Sequence, residues 1–319
     1  MITDEMVQHH WAKVLLLIAT ILLFTPNISG QLNDYQMAIW NLGHIGYFFL
    51  LTASLLPYLQ RYFPALTSRL TAALLITLLL SVVIEMVQLT VGRQASIDDL
   101  LNNLLGSLLA LYIFQLRLLL SSRIKLGLIS LLTLLLLWSL TPLLSIAADT
   151  AIAHHKHPII ADFETPFEQS RWESKSPLEI IQRKSKQLLA HIDSSEKYPG
   201  LTLIPRVSDW RGYAFFQFEM YNSSDQIWPL YFRINDRLHN KRGNHYNDRY
   251  NTKMQLKPGW NRFQVSLQQV KQAPTKRTMD MARISGVTFY FMSGSPLKTI
   301  RLDNLILLNS KDEYVESLQ

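Results

Sequence analysis

The chain contains no cysteine. Disulfides, thiolate metal sites and cysteine nucleophiles are therefore excluded, and any folded part must stand on its apolar core alone. Charge is scarce in the first half. Of 31 lysines and arginines only seven precede residue 156, and of 24 aspartates and glutamates only seven do. The first half is thus neutral, and the second holds the whole surplus of +7. No two carboxylates stand out as a hydrolase pair. The basic residues of the second half are scattered, so no nucleic-acid partner is expected. A basic excess beside a membrane suits anionic headgroups or acidic polymers. The plainer alternative is a soluble domain with a mild basic excess.

Leucine fills the space that charge leaves empty. A helix crossing about 30 Å of hydrocarbon needs about 20 apolar residues. Five segments meet or nearly meet this length, at 11–28, 37–59, 69–91, 98–115 and 124–147. The first is short enough to resemble a signal-peptide core. It lacks a small-x-small cleavage site, since Ile28 would take a small position, and four more spans follow. Orientation follows from the short loops. With the N-terminus cytoplasmic, the inner flanks carry Lys13, Arg61, Arg69, Arg117, Arg123 and Lys125, against Arg93 alone outside. An odd number of spans then delivers everything after Ala148 outside the cytoplasm. The expected division is a transmembrane domain at 1–148, a linker at 149–158, a β-sandwich at 159–310 and a tail at 311–319.

Ionisable groups inside apolar spans are costly and point to function or to buried partners. His44 sits in the second span. Glu85 and Gln88 lie three apart on one face of the third, Arg93 falls in the following turn, and Asp99, Asn103 and Gly106 share a face of the fourth. All fall near the same expected depth, so a shared outward-facing pocket is one reading. Polar packing is the other. In that case Ser96-x-x-Asp99 is a capping box, Arg93 pairs with Asp98 or Asp99, and Gly106 with Ala110 marks close helix packing. Glu85 is the hardest to treat as packing, because a carboxylate at that depth needs a partner or a proton.

These residues carry a resemblance. The run Glu85-Met-Val-Gln88, then Gly92-Arg93, then Ser96-Ile-Asp-Asp99-Leu-Leu-Asn-Asn103-Leu-Leu-Gly106 resembles the signature of the VanZ-like family. His44 with Tyr47 resembles that family's earlier helix motif. The likeness covers about residues 10–120. Where the family has an acid and a lysine before the histidine, this chain has Trp40 and Asn41. The resemblance implies an integral protein of a bacterial inner or plasma membrane. Some of its relatives are linked to glycopeptide antibiotic resistance.

After Pro158 the pattern changes to short alternating runs with turns such as Lys257-Pro-Gly-Trp260 and Ser293-Gly-Ser-Pro296 between them. Nine strands are expected, at 159–163, 187–192, 201–204, 213–221, 230–234, 252–256, 262–267, 285–292 and 300–308, with one short helix near 267–271. Such spacing favours a sandwich. The ordered motifs Asp162-Phe-Glu164, Asp209-Trp210-Arg-Gly212-Tyr213, Ile234-Asn-Asp236 with His239, Asp248-Arg249-Tyr250-Asn251, Leu256-Lys-Pro-Gly259-Trp-Asn261, Arg277 and Leu302-Asp303-Asn304 are similar to the galactose-binding-like jelly roll of many carbohydrate-binding modules. The expected fold class is therefore a multi-span α-helical membrane domain of about five helices plus an all-β jelly-roll sandwich.

Sugar binding needs an aromatic plate with polar groups beside it. Asp236, His239, Tyr246, Asp248 and Arg249 could supply the polar part, with Trp210 or Trp228 as the plate. The alternative is that the charged residues hold loops and the tryptophans are core. Because first and last strands often lie together in such folds, Glu164 and Asp303 could hold a structural Ca²⁺. Three functional readings follow. One is an envelope protein binding a glycan or lipid-linked sugar, with membrane lipid as its other partner. The second is an intramembrane enzyme with Glu85 or His44 as general base and Arg93 steadying an anion, although no reaction is assigned. The third is a structural or partner-holding protein.

Overall fold

The computed structural model describes Thr20 and residues 34–90, 96–294 and 297–310. The expected first span, apart from Thr20, lies outside the described residues, as do Arg93 and the tail 311–319. The chain divides into two compact units, Met1–Ile146 and Ala147–Gln319.

In the first unit α1 spans Asp34–Tyr62, α2 Leu66–Thr90 and α3 Ile97–Leu111, and α3 runs on into a π-helical turn, Tyr112–Leu116. The last helix, α4, is Ser122–Lys156. These are four helices, among the described residues, long and apolar enough to cross a membrane. The break between α1 and α2 falls at Pro64. Arg69 ties it down, donating to the carbonyls of Phe63 and Pro64 and to Gln115 Oε1 at 2.6 Å. Ser96 caps α3 by accepting from the Asp98 amide at 3.1 Å. Gly106 lets α3 lie against α1: a Cβ there would collide with the Ile45 carbonyl and the Phe49 amide. The outer faces, including Leu78, Leu79, Leu126, Leu131 and Leu134, stay exposed, as hydrocarbon requires.

The stretch expected as a linker is instead helical through Lys156. No glycine or proline interrupts 143–157, so nothing ends α4 before the residue preceding Pro158. The helical end also has its own anchor within the second unit. Asp149 is fully buried and accepts from Arg171 Nη2 at 2.5 Å and Arg206 Nε at 2.7 Å.

The rest of the second unit is a sandwich of two antiparallel sheets. One has the order β3-β4-β11-β6-β9, with β1 added on β11, and the other β2-β5-β10-β7-β8. The strands are β1 Ile159–Ala161, β2 Trp172–Ser174, β3 Leu178–Gln182, β4 Lys186–His191, β5 Gly200–Leu203 and β6 Phe215–Asn222. The others are β7 Trp228–Asp236, β8 Tyr250–Leu256, β9 Gly259–Ser266, β10 Ile284–Tyr290 and β11 Thr299–Leu308. Two short helices complete it, α5 Arg237–Lys241 and α6 Leu267–Gln272. The alternation of β6 and β7 points Phe216, Phe218, Met220, Leu230, Phe232 and Ile234 inward. Phe218 lies 5.3 Å from Phe232 and 4.9 Å from Phe289, so aromatic packing joins the sheets where no disulfide does.

Candidate functional site

Two places gather chemistry, one in each unit. In the helical unit the polar residues fall on facing stripes. His44 and Thr52 lie on α1, Thr77, Ser81, Glu85 and Gln88 on α2, and Asp99, Asn103 and Ser107 on α3. Each set recurs at about helical spacing, and all nine are buried. Asn103 is the hub. Its Oδ1 lies 2.9 Å from His44 Nδ1, and its Nδ2 donates to Ser81 Oγ at 2.6 Å. One turn further along, Thr52 donates to Ser107 Oγ at 2.9 Å, and that hydroxyl donates to Thr77 Oγ1 at 3.2 Å.

At the other end of the stripe His44, Glu85 and Asp99 converge. One ligand atom from each lies within 4.8 Å of the others, and this is the single such group of three among the described residues. His44 Nε2 is 3.9 Å from Asp99 Oδ2, and the Ser96 amide donates to Glu85 Oε2 at 3.4 Å. One imidazole nitrogen and two carboxylates form a donor set suited to a divalent ion of borderline hardness or to proton exchange. Asp99 thus faces the bundle interior, and the hydroxyl of Ser96 is what caps the helix. Sequence reasoning brought His44, Glu85, Gln88, Asp99 and Asn103 forward and missed Thr52, Thr77, Ser81 and Ser107. Their signal was there to read: polar residues at four-residue spacing, in line with the ones already noted.

In the sandwich, β5, β10 and β7 turn alternate residues outward in register. Tyr231 stands opposite Tyr290, which stands opposite Gly200. One step along, Arg233 stands opposite Thr288, which stands opposite Thr202. Around them opens a groove of about 780 Å³, lined also by Tyr198, Tyr246 and Arg249. The rings of Tyr231 and Tyr290 stack at 5.3 Å. Gly200 is required there, because a Cβ would strike the backbone of Phe289 and Tyr290.

The loop residues expected to bind sugar divide. Tyr246 and Arg249 line the groove. Asp236 and Asp248 instead grip Arg277. Asp236 is fully buried and accepts from Arg277 Nη1 at 2.5 Å and Nη2 at 2.8 Å, and Asp248 accepts from Nε at 2.7 Å and Nη2 at 2.9 Å. Burial alone would raise the Asp236 carboxyl. The Arg277 guanidinium and the amides of Asp280 and His239 outweigh it and hold it below the usual range. Asp248 is lowered chiefly by its bond to Arg277, whose own value rises in return. His239 is buried with its Nδ1 3.7 Å from Asp248 Oδ2. Burial lowers its pKa, the Arg249 charge adds to that, and Asp248 opposes. Of the expected plates, Trp210 is 1% exposed and stacks on Phe216 at 5.1 Å, so it is core. Trp228 packs against the core and donates to Ser224 Oγ at 2.9 Å.

Glu164 accepts from the Lys186 amide at 3.1 Å. Asp303 is buried in β11 and accepts from the Ser185 hydroxyl at 2.5 Å and the Asn304 amide at 2.8 Å. Burial raises its carboxyl, and the nearby charges of Glu219 and Asp162 raise it further.

The VanZ/LLP1 family model matches residues 3–120. With the four apolar helices, that match marks a membrane protein. No curated protein matches the chain. Solved structures do. A family 11 carbohydrate-binding module from Clostridium thermocellum, in complex with a β-1,3-1,4-mixed-linked tetrasaccharide, is similar at 15% identity and a TM-score of 0.38. The match covers 47% of this chain and 94% of that one. An exo-β-agarase is similar at 16% identity and a TM-score of 0.37, over 47% of this chain and 24% of that one. A module specific for non-crystalline cellulose is similar at 12% identity and a TM-score of 0.33, over 48% and 95%. The sandwich itself is read from the strand order given above.

Proposed function

We propose that this is a cell-envelope membrane protein that binds a glycan or lipid-linked envelope component in the groove across the five-stranded sheet. The observation that carries this reading is the groove itself. Stacked tyrosine rings lie beside hydroxyls and guanidinium groups on one strand-built surface, which is what the C–H faces and hydroxyls of a sugar require. The N-terminus lies in the cytoplasm and the sandwich outside it, as the bias of six basic residues against one supports. The buried cluster around His44, Glu85 and Asp99 receives the headgroup of the lipid-linked component. Pull-down of the full chain in nanodiscs on an array of envelope polysaccharides tests the groove. Binding that Tyr231→Ala and Tyr290→Ala abolish supports the reading. Retention of no polymer above background refutes it.

A further inference from the structure

The two arginines of the groove have terminal nitrogens with no hydrogen-bond acceptor among the described residues. Arg233 donates through Nε to Thr288 Oγ1 at 2.9 Å, and that hydroxyl lies 2.9 Å from Thr202 Oγ1. Arg249 donates through Nε to Asn251 Oδ1 at 2.9 Å and lies 5.4 Å over the Tyr246 ring. The Nη atoms of both arginines bond to nothing among the described residues, and no carboxylate there lies within 4 Å of either guanidinium. Both residues are half-buried; Arg233 is on β7 and Arg249 lies in extended backbone just before β8, on the same face, since Arg233 is in register with Asn251 and Arg249 lies two residues from it.

The acids of the groove lie elsewhere. Glu196 faces Lys175 at 3.9 Å. Glu173 stands opposite Thr202 on β2, three strand spacings from Arg233, or about 14 Å at the backbone. Lys253 adds a further positive charge, 5.7 Å over the Tyr231 ring. The groove is therefore positive at its β7–β8 end and ringed by tyrosine beside it. We infer that this groove selects an anionic saccharide, with Arg233 and Arg249 gripping its carboxylate, sulfate or phosphate while the Tyr231–Tyr290 stack supports the neighbouring ring. The inference rests on the glycan reading and narrows it to one substrate class. A guanidinium fork matches such an anion with two parallel N–H bonds. Burial lowers the pKa of Arg233, and the charge of Arg249 lowers it further, and an anion beside both guanidinium groups opposes each effect.

The test uses the full chain in phosphatidylcholine nanodiscs. The probes are hexagalacturonate, hexamannuronate and a sulfated galactan hexamer, each beside its carboxyl-reduced or desulfated counterpart. At least one acidic probe should bind tenfold or more tightly than its counterpart at low salt, and 0.5 M NaCl should erase most of that ratio. Arg249→Gln and Arg233→Gln should each weaken the acidic probe about tenfold, the size of one lost charge-assisted contact, and weaken the neutral counterpart less, so that the ratio of the two affinities falls. An unchanged tryptophan-fluorescence melt of each variant serves as the control for folding. Counterparts that bind as tightly as the acidic probes, or a ratio that Arg249→Gln leaves unchanged, would overturn the inference while the glycan reading stands. If no probe of either kind binds, the inference falls, and the glycan reading falls with it only if the polysaccharide array is also blank.

Discussion

Replacing Arg277 with alanine should unlatch the loops that flank the groove. The guanidinium makes four bonds to two carboxylates, and one of these, Asp236, is fully buried. Asp236 also accepts from the amides of His239 at 2.9 Å and Asp280 at 2.7 Å, so the same carboxylate starts α5 and pins the chain before β10. Removing one partner of a buried pair leaves the other charged and desolvated, which costs about 3–5 kcal/mol. In a unit of this size each kcal/mol moves Tm by about 2–4 °C, so a fall of about 10 °C is expected. The assay is the tryptophan-fluorescence melt of the full chain in nanodiscs, which Trp210 in the core reports. Arg277→Lys keeps the charge but not the fork and should fall between the two.

The sign of the pH dependence follows from the same bonds. Asp236 and Asp248 titrate below their ordinary value when folded. The stability they supply is therefore complete above the unfolded value of about 3.9 and drains away as the pH falls through the folded values. The gap between native protein and Arg277→Ala should be widest at neutral pH and should close in acid below about pH 4. A gap that stays constant from pH 7 to pH 3, or a melt lowered by less than 3 °C at pH 7, would refute the reasoning.

Four further outcomes follow. Gly106→Leu puts a side chain into the α1 backbone and should reduce the folded yield in detergent far more than Ala110→Gly, as size-exclusion profiles would show. Asn103→Leu cuts the chain from His44 to Ser81 and should cost about 0.6–1.7 kcal/mol in detergent unfolding, the range for polar pairs between spans. Glu85→Gln should lower affinity for a lipid-linked ligand at unchanged Tm if the pocket binds a headgroup; a lower Tm with unchanged affinity would make it packing. If Glu164 and Asp303 hold Ca²⁺, EDTA should lower the melt of the sandwich and Asp303→Asn should abolish that response, whereas a melt blind to EDTA removes the ion.

The helices and most strands were legible because burial imposes a period on the sequence. Leucine runs gave four helices, and Leu230, Phe232 and Ile234 mark β7 by alternation alone. β2 and β3 were missed because they are short and edge-like: Trp172–Ser174 is followed by Lys175 and Pro177, and Leu178–Gln182 has a mixed pattern. α4 runs on to Lys156 because no residue in 143–157 breaks a helix, although its polar histidines resemble a linker in composition.

The groove was harder to read for a different reason. In sequence, sugar sites announce themselves by composition, at polar loop tips and near tryptophan. Asp236 and Asp248 are spent on Arg277, and Trp210 is spent on the core. The outward residues Tyr231, Arg233, Thr288 and Tyr290 look in sequence like the ordinary solvent face of two strands, 55 or more residues apart. Only the register of β7 with β10 turns them into adjacent rows. A row of rings beside a row of hydroxyls and guanidinium groups is a property of strand pairing, and pairing is set by the closure of the whole sandwich rather than by either strand. The intramembrane stripe differs in kind. Its spacing lies within single helices, so Thr77, Ser81, Glu85 and Gln88 could have been placed on one face from the sequence alone.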